Sequence, residues 1–193
     1  MNVRWRVALL FACMAVVGCQ SGGVGDPCVP EDEYQRYFSG YEVGEVNIET
    51  RSFQCETRIC LVNHFQGRAS CPYGQPSSGG GPTRCHVPGS TQATGAVEVE
   101  VKPQILNRRA THAVYCSCRC GKATGSIAEE NVRYCTCPDG FACVEVLPDI
   151  HVGPNYITGS YCVKAGTEYD SRTFLPEGTC DAAKRNCGNE DGT

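Results

Sequence analysis

Cys116-Ser117-Cys118-Arg119-Cys120 and, fifteen residues on, Cys135-Thr136-Cys137-Pro138-Asp139-Gly140-Phe141-Ala142-Cys143 set six cysteines within 28 residues. The whole chain carries 16 cysteines in 193 residues. That is about 8 %, a density typical of a disulfide scaffold. On an extended strand, alternate side chains share a face, so Cys116, Cys118 and Cys120 point the same way. In the second stretch, Pro138 and Asp139 suit the centre of a type I turn, and Gly140 suits the left-handed position after it. A three-residue loop there sets Cys137 opposite Phe141 and Cys135 opposite Cys143. Opposed residues stand about 4.5–5.5 Å apart at Cα, within reach of a disulfide. The expected bridge is Cys135–Cys143.

The other end of the chain gives an address. Residues 1–6 hold two cations and no acid, and Val7 to Val17 form an apolar run of 11 residues. This matches the h-region of an export signal and falls well short of the ~20 residues of a spanning helix. The run closes on Val16-Val17-Gly18-Cys19, which resembles a bacterial lipobox. The resemblance implies cleavage after residue 18, lipidation of Cys19, loss of Cys13 with the signal and, with Gln20 after the cysteine, passage to the outer membrane. It identifies the chain with the cysteine-rich lipoproteins of that compartment. Residues 19–27 then read as the lipidated cysteine and a flexible, glycine-rich tether.

Removing both N-terminal cysteines leaves Cys28, Cys55, Cys60, Cys71, Cys85, Cys116, Cys118, Cys120, Cys135, Cys137, Cys143, Cys162, Cys180 and Cys187. Fourteen is even, as a framework of seven bridges requires, and an export route supplies the oxidising compartment. The same 175 residues keep four Leu, six Ile, fifteen Val and five Phe, about 17 % and under the ~20 % of an ordinary core. Net charge moves only from −4 to −6 when Arg4 and Arg6 leave, too little for a disordered chain. A basic nucleic-acid binder, a collagen-like rod and a membrane-spanning bundle are excluded on composition. Breaks at Pro76–Pro82 and Pro88–Gly95 suggest two lobes, about 28–87 and 97–193. Five cysteines precede the second break and nine follow it, so full pairing demands at least one bridge across it. Residues 28–193 therefore read as one disulfide-tied domain.

The expected class is mainly β: a small, disulfide-rich, two-lobed unit of short strands, hairpins and long loops with little helix. β-Branched residues far outnumber Leu, and Met is absent after the signal. Val46, Ile48 and Thr50 alternate with polar neighbours; so do Val97, Val99 and Val101, until Pro103 removes a donor. Ile59, Leu61 and Phe65 alternate with Cys60, Val62 and His64. Short helices are suggested only at Ile127–Asn131 and Asp181–Asn186. The stretch Cys135–Cys143 also resembles the end of an EGF-like module, Cys-x-Cys-x-x-Gly-Phe over about nine residues; that resemblance implies Cys137–Cys143 instead.

Candidate chemistry is sparse. Cys116, Cys118 and Cys120 with His112 could ligate a metal, or two of the thiols could act in redox chemistry. Both need thiols that an oxidising compartment removes, and bridging to facing segments is the simpler use. His64, His86, His112 and His151 are scattered, and no catalytic, phosphate-binding or cofactor motif occurs. No cofactor is expected. Tyr34, Tyr37, Phe38 and Tyr41 cluster after Glu31-Asp32-Glu33, and such rings either cover a small core or offer a contact surface. The expected role is a non-enzymatic binding or structural module, lipid-anchored at a bilayer and touching an envelope or surface protein or a glycan. The alternative is a periplasmic metal or thiol-redox protein.

Overall fold

A computed structural model describes residues 22–77, 84–126, 132–148 and 157–187. The lipobox with Cys19, the glycine run 79–81, the helix expected at Ile127–Asn131, His151 and the tail beyond residue 187 lie outside the described residues.

The molecule is mainly β, built on two small antiparallel sheets. Strands β1 (Val46–Glu49), β2 (Ile59–Asn63) and β3 (Val114–Ser117) form the first, in the order β1-β2-β3. Strands β4 (Arg119–Gly121), β5 (Phe141–Leu147) and β6 (Gly159–Lys164) form the second, in the order β4-β6-β5. The described α-helices are two single turns, α1 (Gln92–Gly95) and α2 (Ala110–Ala113). The chain changes sheet at Cys118, between β3 and β4, and not at the Pro88–Gly95 stretch.

The two faces of the first sheet bury different things, which explains why β2 reads Ile-Cys-Leu-Val before Asn63 and has no exposed position. Cys60 and Val62 on β2, with Val114 and Cys116 on β3, face a core that includes Cys28, Tyr41, Cys55, Phe65 and Ala113. Leu61 and Tyr115, opposite each other in register, face Tyr161 and Val163 of the second sheet. The sheets are also stitched by hydrogen bonds. The Lys164 amide donates to the Tyr115 hydroxyl at 3.0 Å, and the Ser117 hydroxyl donates to the Cys162 carbonyl at 2.8 Å. A third cluster joins Cys71, Cys85, Val97 and Val101.

Seven bridges use all fourteen cysteines: Cys28–Cys60, Cys55–Cys116, Cys71–Cys85, Cys118–Cys135, Cys120–Cys143, Cys137–Cys162 and Cys180–Cys187. Cys55–Cys116 alone spans the Pro88–Gly95 stretch, as the odd counts require. Both pairings expected for the Tyr134–Cys143 segment are corrected. The turn itself forms, with the Phe141 amide donating to the Pro138 carbonyl at 3.1 Å and Gly140 at φ +82°. No hairpin follows it, because β5 pairs with β6 and sets Cys143 opposite Cys162. The segment before the turn leans on β4, where the Cys135 amide donates to the Arg119 carbonyl at 3.0 Å. Cys135 thus meets Cys118, and Cys143 meets Cys120.

The strand expected at Val97–Lys102 is an extended segment with isolated pairings only. Its burial alternates as expected, with Val97 and Val101 inside and Glu98 and Glu100 turned further out. Its backbone is served by a side chain in place of a neighbouring strand. The Gln75 amide donates to the carbonyls of Val97 at 2.9 Å and Val99 at 2.6 Å, and its oxygen accepts from the Cys85 amide. The helix expected at Asp181–Asn186 is a run of turns enclosed by Cys180–Cys187.

Chain-entropy reasoning ranks the bridges by the loop each closes. Replacing Cys55 and Cys116 with Ala opens a loop of separation 61 and is expected to cost about 4 kcal/mol. Replacing Cys71 and Cys85 opens one of separation 14 and is expected to cost about 3 kcal/mol. Urea unfolding without reductant measures both, and the order of the two losses is the test.

Candidate functional site

After Pro30 the chain makes a 3-10 turn, Glu31–Tyr34, with three acidic residues in succession. Only one of the three turns inward. Glu33 is fully buried, and its carboxylate accepts from the amides of Ala69 at 2.5 Å and Ser70 at 2.9 Å and from the Ser70 hydroxyl at 2.5 Å. Burial still pushes its pKa above the usual carboxylate range, against those bonds and the nearby Arg68 charge. Arg68, also fully buried, donates to the carbonyls of Phe38 at 2.9 Å, Gln35 at 3.3 Å and Glu33. One acid and one base from neighbouring elements thereby fix the backbone that carries the aromatic cluster. A close backbone approach completes the fixation. The amides of Tyr41 and Gly67 exchange hydrogen bonds at 2.9 Å, and a Cβ on Gly40, at φ +103°, would come within 2.6 Å of the Gly67 carbonyl carbon.

The structure divides the four aromatic residues. Tyr41 is buried in the first core, its hydroxyl donating to Asp32 Oδ2 at 3.2 Å, and burial raises its pKa well above that of a free phenol. Phe38 packs edge-on against it with ring centroids 4.8 Å apart. Tyr34 and Tyr37 are exposed, at 50 % and 71 %.

Tyr34 lines a cleft of about 550 Å³ together with Val29, Glu31, Glu49, Arg51, Ser52, Phe53 and Gln54. The loop after β1 supplies the far wall. Gln54 holds that loop to the Pro30 turn, accepting from the Val29 amide at 3.0 Å and donating to the Val29 carbonyl at 2.7 Å. Phe53 is 81 % exposed, with the Arg58 guanidinium 4.4 Å from its ring centroid. The Ser52 hydroxyl is buried and has no hydrogen-bond partner among the described residues. A smaller hollow of about 180 Å³ adjoins, lined by Pro30, Glu31, Asp32, Tyr41, Asn47 and Glu49. Glu31 and Glu49 belong to both. The Glu49 carboxylate accepts from the Glu31 amide at 3.1 Å, and burial first, then the charges of Glu31 and Asp32, raise its pKa.

Sequence reasoning reached Tyr34 but missed Glu49, Ser52 and Phe53. A lone aromatic in Ser52-Phe53-Gln54 carries no periodic signal, and its relation to the Pro30 turn comes from Gln54 bonding to Val29, 25 residues away in the chain.

All three members of the cysteine trio are in disulfides. Cys116, Cys118 and Cys120 are bonded to Cys55, Cys135 and Cys143 respectively. Cys116 lies in the first core, and the other two stand among the sulfurs of the second sheet. Three groups of three sulfurs lie within 4.8 Å, namely Cys28, Cys55 and Cys116; Cys118, Cys135 and Cys162; Cys120, Cys137 and Cys143. Every member is in a disulfide, and a metal takes thiolates. His64 is committed elsewhere, stacked on Tyr169 at 4.0 Å with Nδ1 3.1 Å from the Val43 carbonyl.

Comparison of the chain with protein-family models, with curated proteins and with solved structures gives no match.

The division of the tyrosines is directly testable. Tyr41→Ser removes a buried ring and its bond to Asp32 and is expected to cost about 3 kcal/mol. Tyr37→Ser is expected to change stability by less than about 0.5 kcal/mol. Thermal unfolding of the two variants beside the parent protein makes the measurement.

Proposed function

We propose that the protein is a lipid-anchored, disulfide-locked module of the outer membrane that binds a cationic, partly apolar segment of another envelope or surface protein in the Tyr34–Phe53 cleft. The observation that carries the binding reading is the composition of the cleft. Two exposed rings offer apolar area at low entropic cost, and the carboxylates of Glu31 and Glu49, with Asp32 in the adjoining hollow, outnumber the one cation of the lining, Arg51. Burial first, and then the charges of Glu31 and Asp32, raise the pKa of Glu49, and a ligand cation would favour its charged form. The partnerless Ser52 hydroxyl adds an unused hydrogen-bonding group to the lining. The lipobox resemblance at Val16–Cys19 supports the anchor, and seven disulfides fit an oxidising compartment.

The probe is a fluorescent nonapeptide of alternating Lys and Leu, titrated against the purified protein by anisotropy. Phe53→Ala and Glu49→Gln are each expected to weaken binding about tenfold. Glu49 begins to take up a proton at a higher pH than an ordinary carboxylate, so on acidification binding should begin to fall before ordinary carboxylates titrate. Glu49→Gln should flatten that dependence without loss of stability, because the charged form is the one that burial penalises. Binding indifferent to both substitutions and to pH would refute the cleft as the contact surface.

A further inference from the structure

Three bridges of the second sheet lie sulfur against sulfur. Cys118–Cys135, Cys137–Cys162 and Cys120–Cys143 are separate bonds. Yet Cys162 Sγ stands 3.5 Å from Cys118 Sγ and 3.8 Å from Cys135 Sγ. At the other end of the middle bridge, the Sγ atoms of Cys120, Cys137 and Cys143 lie within 4.8 Å of one another. The six atoms therefore form a continuous chain with Cys137–Cys162 as its middle link. Exposure is greatest at one end: Cys143 is exposed, Cys120, Cys137 and Cys135 are half-buried, and Cys118 and Cys162 are buried. The other sulfur group, Cys28, Cys55 and Cys116, is buried throughout, so no reagent reaches it from outside.

Thiol–disulfide exchange needs an accessible sulfur to start and a neighbouring disulfide sulfur to continue. This group has both. We propose that Cys120–Cys143 is a redox-active disulfide that oxidises a dithiol and passes the reducing equivalents inward through Cys137–Cys162 to Cys118–Cys135. A thiolate of the dithiol attacks Cys143 Sγ, forming a mixed disulfide and releasing Cys120 as thiolate. The second thiol of the reagent then attacks its own sulfur in the mixed disulfide. The reagent leaves as a disulfide, and Cys143 is left as a thiol. Two electrons and two protons have moved to the protein. The Cys120 thiolate next attacks Cys137 Sγ, which forms Cys120–Cys137 and frees Cys162. The Cys162 thiolate attacks Cys118 Sγ, which forms Cys118–Cys162 and frees Cys135. Each inward step makes one S–S bond and breaks one, so no further reductant is consumed.

The test is limited reduction of the purified full-length protein with one equivalent of dithiothreitol, an alkylation quench and peptide mapping. The label is expected at Cys143 and also at Cys162 or Cys135, at levels within about threefold of Cys143, while Cys28, Cys55, Cys60, Cys116, Cys71 and Cys85 remain unlabelled. Label confined to Cys120 and Cys143 would overturn the relay. Equal labelling of Cys71 and Cys85 would overturn the selectivity of the outer bridge. Replacing Cys137 and Cys162 together with Ser cuts the middle link, so labelling of Cys135 should drop about tenfold with Cys143 unchanged; undiminished labelling of Cys135 contradicts the relay. Should that variant not fold, the distribution of label in the parent protein decides alone.

Discussion

The bond between Cys55 and Cys116 sits where three demands on this chain meet. Its sulfurs are among the most buried atoms of the first core, at 1 % and 0 % residue exposure. It ties the loop after β1, which walls the cleft, to β3, the strand before the chain changes sheet. It is also the one bridge that reaches across the Pro88–Gly95 stretch. A covalent bond does this work because there is little apolar side chain to do it: each of two of the three buried clusters counts cysteines among its own members, and the third is only four fully buried residues. In such a protein cross-linking limits the unfolded ensemble where a larger domain relies on buried area.

The same economy governs polar groups. Glu33, Arg68 and Gln75 are buried side chains that take the place of missing strands, each meeting several backbone groups that would otherwise be orphaned. Arg108 is a further case, 2 % exposed and donating to the carbonyls of His64 at 2.5 Å, Asn63 at 2.6 Å and Thr167 at 2.8 Å. Burial lowers its pKa. These staples hold long irregular segments still, and irregular segments form the walls of the cleft.

What could be read from the residues alone follows from this division of labour. Cysteine density, parity and β-branched composition gave the class, and parity required the crossing bridge. Local alternation placed β1 and β2 and the burial of Val97 and Val101. It could not show that Gln75 would satisfy the backbone of that valine segment, since a side-chain staple leaves no periodic trace. The Pro138–Gly140 turn was legible for the same local reason, and the hairpin was not. Strand pairing across a long connection depends on which segment β6 meets, and neither Phe141 nor Cys143 encodes that. Of the aromatic cluster, the sequence held the residues but not their sorting, because inside and outside are decided by Arg68 and Glu33 reaching from separate elements.

The measurement that bears most directly on the account is the far-ultraviolet and near-ultraviolet circular dichroism of the fully reduced and alkylated chain in the absence of denaturant. With the seven bonds gone, the remaining apolar burial is too small to offset conformational entropy, so the chain should be unfolded and show no cooperative urea transition. A reduced and alkylated protein that keeps its β signal and unfolds cooperatively would contradict the claim that cross-links, and not the core, hold this fold together.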